Sequence, residues 1–402
     1  MDWKSKKMTS KERMIAALNC QDADYTPCCF MIFLNLHRKC RDEAEFVEKQ
    51  LELGLDPYVH AGYLNPSYHP DVKEKIWIEH EDNEQICCRR LDTPKGPLTQ
   101  RVVQKEGWPT AKNFNLYDDW IIPRSRKFLI NPEQDLEKLP YLFGPTRSED
   151  LRKLRESAAV AKKLAQKHQL IQAGGWVSSY NALEKGDDGI MGADCMSWLS
   201  GFVDVMILSL EDPGLIREYM RIIHEWNLER IGIYLDMTSA DIIIRRAWYE
   251  NTEFWTPAAY HQIIQPFLKK EVEMVHQAGR KFGLITTSAF TPLLEDLLDS
   301  GIDVLIGVDP EEGKDTDLAQ IKSRFAEKKR ALWGGVSGTL TVEQGTMAEV
   351  EKAVRRAMEV LSPGSGFILS PVDNVREETP QVWDNTRVFI QIWQRLCKEI
   401  NR

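Results

Sequence analysis

The sequence predicts an α/β fold, specifically a (β/α)8 TIM barrel with an antiparallel β insertion after the second strand. Eight apolar segments of strand length alternate along the chain with segments of helical periodicity, as in a parallel sheet covered by helices. This rhythm is interrupted once, at about residues 63–142, where short alternating segments flank the turn DTPKGP. An open doubly wound sheet is the alternative architecture.

The eight predicted barrel strands are apolar runs bounded by turn residues or helix caps. Thr9 and Thr346 are each followed three residues later by a glutamate. Each of these two capping boxes marks the start of a helix. The strands are predicted at residues 28–33, 56–60, 170–174, 241–246, 282–286, 302–306, 331–336 and 366–370.

The stretch from Lys281 to Ile306 is one complete β-α-β unit and locates the expected ligand site. Its first strand is apolar and then turns polar at Thr286, Thr287 and Ser288. In parallel α/β folds, ligands bind at the carboxyl ends of the strands. We therefore expect the functional residues after strand ends of this kind.

Length and charge restrict the class of protein. The chain has 402 residues and 43% hydrophobic residues, enough for one large core, so we expect a single domain over 1–402. A net charge of −9 argues against nucleic acid or an anionic membrane as a partner. The sequence shows no apolar run long enough for a membrane helix and no signal-peptide core at its start, which predicts a cytoplasmic protein.

Motifs for common cofactors are missing from the sequence. No G-x-G-x-x-G follows the first strand and no P-loop motif occurs, so dinucleotides and nucleoside triphosphates are not supported. The eight cysteines show no C-x-x-C spacing, which indicates reduced thiols rather than a disulfide framework.

Five segments, in order along almost the whole chain, resemble the uroporphyrinogen decarboxylase superfamily. The resemblance implies a (β/α)8 barrel and one of two activities, because the superfamily contains heme-pathway decarboxylases and corrinoid-dependent methyltransferases. The segments are KERMIAALNCQDADYTPCCF, TPAAYHQIIQPFLKKEVEMVHQAGRKFGLI, TPLLEDLLDSGIDVL, LWGGVSGTLTVEQGTMAEVEKAVRRAME and GFILSPVDNVREETPQVWDNTRVF.

The residues at the barrel mouth depart from both branches of this superfamily. The thiol methyltransferases carry His-x-Cys and a later Cys as zinc ligands, and the matching positions here resemble Thr286, Ser288 and Asp373. Hydroxyl groups are poor zinc ligands, so we expect no tightly bound metal. The decarboxylases carry an arginine-rich stretch after the first strand, where this chain has FLNLHRK.

Candidate catalytic and binding residues follow predicted strand ends. His60 is a candidate proton donor, although a structural role is the alternative, and Asp373 is a candidate acid or a cation ligand. By alternation only one of Arg245 and Arg246 faces the barrel axis, and we take Arg246 as the anion-binding residue. The remaining candidates are Tyr249 as a catalytic donor and Trp176, Trp248, Glu250, Thr286 and Ser288 as substrate-binding residues.

The leading functional hypothesis is a corrinoid-dependent methyltransferase acting on a small methylated substrate. It implies a small-molecule substrate and a corrinoid protein as partners, with no cofactor tightly bound to this chain; a homodimer is one option for its assembly. The first alternative is a decarboxylase of uroporphyrinogen or another polycarboxylate, which requires several inward cations. The second is a non-catalytic ligand-binding barrel, which predicts no activity on either substrate class.

Overall fold

The structure is a computed structural model that describes residues 7–105, 114–176, 189–313 and 316–400. The strands are numbered β1 to β12 and the α-helices α1 to α14 in chain order. The strands are β1 Val59–His60, β2 Lys73–Glu81, β3 Glu84–Thr93, β4 Gly96–Gln104, β5 Ser125–Lys127, β6 Gln172–Gly175, β7 Ile190–Met191, β8 Ile242–Arg246, β9 Lys281–Ile285, β10 Val304–Val308, β11 Ala331–Ser337 and β12 Phe367–Val372.

The helices lie mostly between the parallel strands and cover the outer face of their sheet. They are α1 Ser10–Leu18, α2 Leu34–His37, α3 Glu43–Glu52, α4 Pro132–Asp135, α5 Ser148–His168, α6 Ala193–Ser200, α7 Phe202–Glu211, α8 Pro213–Met237, α9 Pro257–Ala259, α10 Gln265–Gln277, α11 Leu294–Asp299, α12 Leu318–Glu327, α13 Met347–Leu361 and α14 Pro380–Ile400. Both predicted capping boxes, at Thr9 and Thr346, are present.

The main sheet is parallel and curled, which confirms the predicted α/β class. Its strands follow the order β1-β6-β8-β9-β10-β11-β12, and the short β7 pairs with the far end of β8. Seven of the eight predicted strands therefore occur, with ends shifted by a few residues. Strands of this sheet that follow one another in sequence lie side by side, as consecutive β-α-β units usually do.

The first predicted strand, residues 28–33, is present only as isolated parallel bridges to the β12 region, at Cys28 and Ile32. Its backbone is nevertheless paired on both sides. The amide of Cys29 donates to the carbonyl of Leu369 at 3.0 Å, and the amide of Asp56 donates to the carbonyl of Cys28 at 2.8 Å. This segment thus connects the two edges of the curled sheet.

A separate antiparallel sheet occupies the predicted insertion. Its order is β2-β3-β4-β5, and it lies in sequence between β1 and β6. The DTPKGP segment forms the β3–β4 turn, with Thr93 opposite Gly96. After β4 the chain reaches a 3-10 turn, Asp119–Arg124, which contacts α6. The insertion therefore approaches the main sheet next to β8.

The long helical region at residues 193–237 is divided into three helices, α6, α7 and α8. Gly201 separates the first two with a φ of 78°, a left-handed backbone conformation that favours glycine. Pro213 starts α8, since proline lacks the amide a continuing helix would need.

The inside of the curled sheet is filled by alternate residues of its strands. β8 contributes Ile242 and Ile244, β10 contributes Val304 and Ile306, and Trp333 of β11 reaches across to donate to the carbonyl of Cys29 at 2.9 Å. Alternation along each strand sends the intervening residues toward the helices. Polar groups near the axis are thus concentrated beyond the carboxyl ends of the strands.

The cysteines are reduced, as the sequence predicted: all eight are free thiols. Within the described ranges, no single helix combines the length and apolar composition that crossing a bilayer requires; α6 and α7 meet that test only as a pair, with a bend of 115° between them.

Candidate active site

The two arginines that end β8 point in opposite directions, as alternation predicted. Arg245 is completely buried on the helix side, where it pairs with Glu250 and, at 3.3 Å, with Glu271 of α10. Arg246 lies on the inner side, against the aromatic residues that follow the strand. Only Arg246 therefore belongs to the mouth.

Glu250 is part of this internal ion-pair network. Its Oε1 accepts hydrogen bonds from Arg245 and, at 2.8 Å, from the amide of Ala193 at the start of α6. Burial raises the pKa of Glu250 to about 7, although the charge of Arg245 opposes the shift. Glu250 is therefore the partner of a buried arginine, and its substrate-binding role stays a prediction.

Arg246 is held from several sides. Its Nε donates to Asp194 at 2.9 Å, and its Nη2 lies 2.8 Å from both carboxylate oxygens of Asp119. Its guanidinium carbon lies 3.9 Å from the ring centroid of Trp248 and 4.6 Å from that of Trp198. These contacts leave the guanidinium almost entirely buried.

The carboxylate of Asp119 collects donors from three residues. Besides Arg246, the hydroxyl of Tyr249 donates at 2.6 Å and the indole nitrogen of Trp198 donates at 2.8 Å. Burial alone would raise the pKa of Asp119, but the charge of Arg246 and these hydrogen bonds outweigh it and lower the pKa. Asp119 is therefore a stable carboxylate in this position.

A small cavity lies beside this cluster at the strand ends. Its volume is about 10 Å³, roughly the space of one water molecule. Thr287 lines it, whereas the neighbouring Thr286 and Ser288 are buried elsewhere. The cavity is lined by Met31, Ile32, Trp248, Ile285, Thr287, Ile306, Gly307, Trp333, Gly334, Ser370, Pro371, Val372 and Asp373.

Asp373 supplies the carboxyl group of this cavity. Its backbone has a φ of 60°, a left-handed conformation uncommon for a residue other than glycine. Burial raises the pKa of Asp373, while the charges of Arg376 and Arg246 oppose the shift. Burial together with Asp309 and Asp373 likewise raises the pKa of Glu312 to about 7.

His60 ends β1, as predicted, but lies in an aromatic environment. Its ring stacks on Tyr63 at a centroid distance of 4.6 Å, and its Nε2 lies 3.4 Å from the carbonyl of Gly175. Burial lowers the pKa of His60 to about 4, so the imidazole is neutral near pH 7. Trp176 is nearer the cavity, since its ring lies 5.0 Å from that of Trp248.

Sequence reasoning missed three residues of the cluster around Arg246. Asp119 belongs to the insertion, and Asp194 and Trp198 belong to α6. The sequence contains one signal for Asp194. The GADCMSW segment that contains it follows Ile190 and Met191, two apolar residues of the type found in strands. Thr287 was noticed as polar, but the match to zinc-ligand positions had favoured its two neighbours.

The part of the chain that the structure describes contains no group of three histidine, cysteine, aspartate or glutamate side chains arranged to hold a metal ion. The implied zinc positions Thr286, Ser288 and Asp373 would supply two hydroxyls and one carboxylate. This donor set does not fit zinc, which is usually bound by thiolate, imidazole and carboxylate groups.

Comparison with known proteins identifies a family for this chain. Residues 194–395 match the family described as "Uroporphyrinogen decarboxylase (URO-D)". This match covers half of the chain. No curated protein sequence shows a significant match.

Solved structures resemble the fold of this chain. A "methyltransferase from Methanosarcina mazei" has a TM-score of 0.58 and 16% identity, and the alignment covers 97% of this chain and 99% of that one. At this identity the likeness shows the fold alone. MenC from Desulfotalea psychrophila LSv54 aligns over 83% of this chain and 92% of its own, but a TM-score of 0.24 and 10% identity carry no argument.

Proposed function

Since the chain belongs to the uroporphyrinogen decarboxylase family, we propose that it is a barrel enzyme that demethylates a small substrate and passes the methyl group to a corrinoid protein. The solved neighbour is itself named a methyltransferase, and we adopt that reaction type as part of the proposal. In this view the curled sheet is the wall of a (β/α)8 barrel. Residues 28–33 complete that wall, which the backbone bonds of Cys28 and Cys29 support.

The charge balance of the mouth is the observation that carries this choice. Arg246 is already paired with two carboxylates, Asp119 and Asp194. The charges that act on Asp373 and Glu312 are the two cations Arg376 and Arg246 and the carboxylates Asp119, Asp309, Glu253 and Glu343. Arg376 lies 3.8 Å from Glu343, so both cations already have acidic partners. A porphyrinogen with many carboxylates would leave most of them unpaired here, which is costly for buried charges.

We assign proton delivery to Asp373. When a methyl group leaves as a cation equivalent, its bonding electron pair stays on the oxygen, nitrogen or sulfur, which then needs a proton. Asp373 lines the cavity, and its raised pKa favours the protonated form closer to neutral pH. Tyr249 and His60 were expected to act as donors; we now give Tyr249 a binding role beside Arg246 and leave His60 as a candidate.

The corrinoid, held by the partner, supplies a reduced cobalt centre that accepts a methyl group. A cavity of about 10 Å³ has no room for a macrocycle, so such a cofactor fits only when it is presented from outside. Because the side chains at the expected zinc positions do not fit that metal, the proposed reaction does not use zinc.

The test uses the visible spectrum of cobalamin, which changes when the cobalt is methylated. Purified protein is incubated with reduced cobalamin and a panel of small methyl ethers, methyl thioethers and methylamines. Asp373→Asn should lower turnover by about 10²–10³, the usual loss for a group that stabilises developing charge. Asp384→Asn, an exposed partner of Arg387 on α14, is the matched control and should keep full turnover.

Two results would contradict the proposal. The first is normal turnover of the Asp373 variant with every active substrate. The second is conversion of uroporphyrinogen to coproporphyrinogen at ordinary enzymatic rates, on the order of one per second. That second result would favour the decarboxylase alternative.

A further inference from the structure

The carboxylate of Asp119 occupies a site that the main fold builds and the insertion fills. Its donors come from β8, the segment after β8, and α6, namely Arg246, Tyr249 and Trp198. Asp119 itself begins the 3-10 turn Asp119–Arg124. The donors and their occupant are therefore 79 to 130 residues apart in sequence.

Exposure differs sharply between the two sides of this contact. The side chain of Arg246 is 4% exposed, whereas that of Asp119 is 45% exposed. A buried receptor thus holds the carboxyl end of a side chain that is itself partly exposed. A carboxylate that approaches from solvent meets the same donors as soon as Asp119 moves away.

Arg246 has contacts other than Asp119 that fix its position. Asp194, which is completely buried, holds the Nε of Arg246 at 2.9 Å. The rings of Trp248 and Trp198 flank the guanidinium at 3.9 and 4.6 Å. Such a preorganised guanidinium matches the planar geometry of a carboxylate and loses little conformational entropy on binding.

Trp248 connects this site to the cavity of Asp373. One face of its ring contacts Arg246, and the same residue lines the cavity together with Thr287. A small molecule bound at Arg246 by its carboxylate would lie next to Trp248, on the side of the site that faces the cavity of Asp373. Asp373 and the neighbouring Glu312 are themselves carboxyl groups, and Arg376 already lies 3.8 Å from Glu343, so a second carboxylate is disfavoured at that end.

We propose that Arg246, Tyr249 and Trp198 form a binding site for the carboxylate of a small monocarboxylate substrate, and that this carboxylate displaces Asp119. The inference rests on the proposed function and adds the substrate class to it. Asp119 acts as a tethered competitor, whose effective concentration the substrate must exceed before it binds. Binding of the correct substrate is thereby coupled to movement of the insertion.

The test measures binding of acetate and formate to the full chain, with acetamide as the uncharged isostere. The readouts are the fluorescence of the tryptophans beside Arg246 and the melting temperature. Acetate should bind wild type weakly and saturably, and should bind Asp119→Ala at least about tenfold more tightly because the tethered competitor is gone. Acetamide should bind neither protein. Glu84→Gln is the control: it removes the partner of the exposed Arg126 within the antiparallel sheet of the insertion. This variant should bind acetate as wild type does.

A second variant tests the donor set without removing the buried arginine. Adding Tyr249→Phe to Asp119→Ala removes one hydrogen bond to the carboxylate and should weaken acetate binding by about tenfold or more. Equal acetate affinity in wild type and Asp119→Ala overturns the proposal, and so does the absence of acetate binding to Asp119→Ala. If wild type binds no acetate at a thousand times the Kd of the variant, Asp119 is a fixed structural ion pair and displacement is wrong.

Binding and methyl transfer fail separately in this design. Acetate binding needs no cobalt, so a positive binding result without any methyl transfer contradicts only the proposed reaction. Conversely, efficient demethylation of substrates that lack a carboxylate contradicts only the inference about Asp119.

Discussion

Burial decides the chemistry of individual side chains in this protein. His60 and Glu250 are both completely buried, but His60 is held neutral by a pKa near 4 while Glu250 has a pKa near 7. Loss of hydration disfavours the charged form in both cases, which lowers the pKa of a base and raises that of an acid. Sequence position alone gives the residue type but not this environment.

His60 should make the stability of the protein depend on pH. Its pKa is about 4 in the folded protein and about 6.5 in the unfolded chain. The neutral ring therefore contributes stability that is fully present above pH 6.5 and is lost as the pH falls toward 4. That difference corresponds to roughly 3 kcal/mol in the free energy of unfolding.

Urea unfolding of wild type and His60→Gln between pH 4 and pH 8 measures this contribution. The difference in the free energy of unfolding between wild type and His60→Gln should be constant above pH 6.5. Below pH 6.5 wild type should lose stability relative to the variant, because glutamine does not ionise. Comparing the two proteins cancels the opposite contributions of Glu250 and Glu312, which they share. Parallel stability profiles across the whole range would show that His60 has no such role.

At the scale of elements, the start of α6 is joined to β8 through Glu250. Gly192 precedes α6, and a Cβ atom there would overlap Oε1 of Glu250 and Nη2 of Arg245. The absence of a side chain lets the helix terminus approach the buried pair. The same helix carries Asp194 and Trp198 to Arg246, so its position matters for the site.

Gly192→Ala should destabilise the protein by about 1–3 kcal/mol, because a buried ion pair must move or the helix must shift. Urea unfolding measures the loss. Gly214→Ala is the matched control. Gly214 lies in the first turn of α8, where a Cβ atom would come no closer than 3.3 Å to its nearest neighbour, Oδ1 of Asp212, and alanine favours helix. Equal stability of the two variants would show that the Gly192 contact is not restrictive.

At the scale of the whole molecule, the two edges of the parallel sheet meet around Asp56. Its carboxylate pairs with the buried Arg13 of α1, and one oxygen lies 3.4 Å from the amide of Cys28. Asp56 thus joins the N-terminal helix, the 28–33 segment and the start of β1. We infer that this residue stabilises the packing of these three segments against one another.

Asp56→Ala should lower the free energy of unfolding by about 3–5 kcal/mol, because it leaves Arg13 without one partner of a buried ion pair. Glu45→Gln removes the half-buried partner of the exposed Arg41 and should cost less than about 1 kcal/mol. The midpoints of urea unfolding test both values. A loss at Asp56 no larger than at Glu45 would contradict the stabilising role of the Asp56 ion pair.

The sequence alone determined the parallel α/β architecture, the antiparallel insertion and the capped helices. These features depend on periodicities and turn residues within a few positions of one another, so local physical chemistry encodes them. It also predicted that only one of Arg245 and Arg246 would face inward, because strand alternation is local.

Tertiary structure alone decided which side chains meet at the mouth. Asp119 reaches Arg246 across 127 residues of sequence because the insertion packs beside α6, and no local pattern carries that information. The selection of Thr287 rather than Thr286 for the cavity likewise depends on how the chain turns after β9 leaves the sheet. Contacts of this kind arise from the packing of separate elements, whose relative placement is a property of the whole fold.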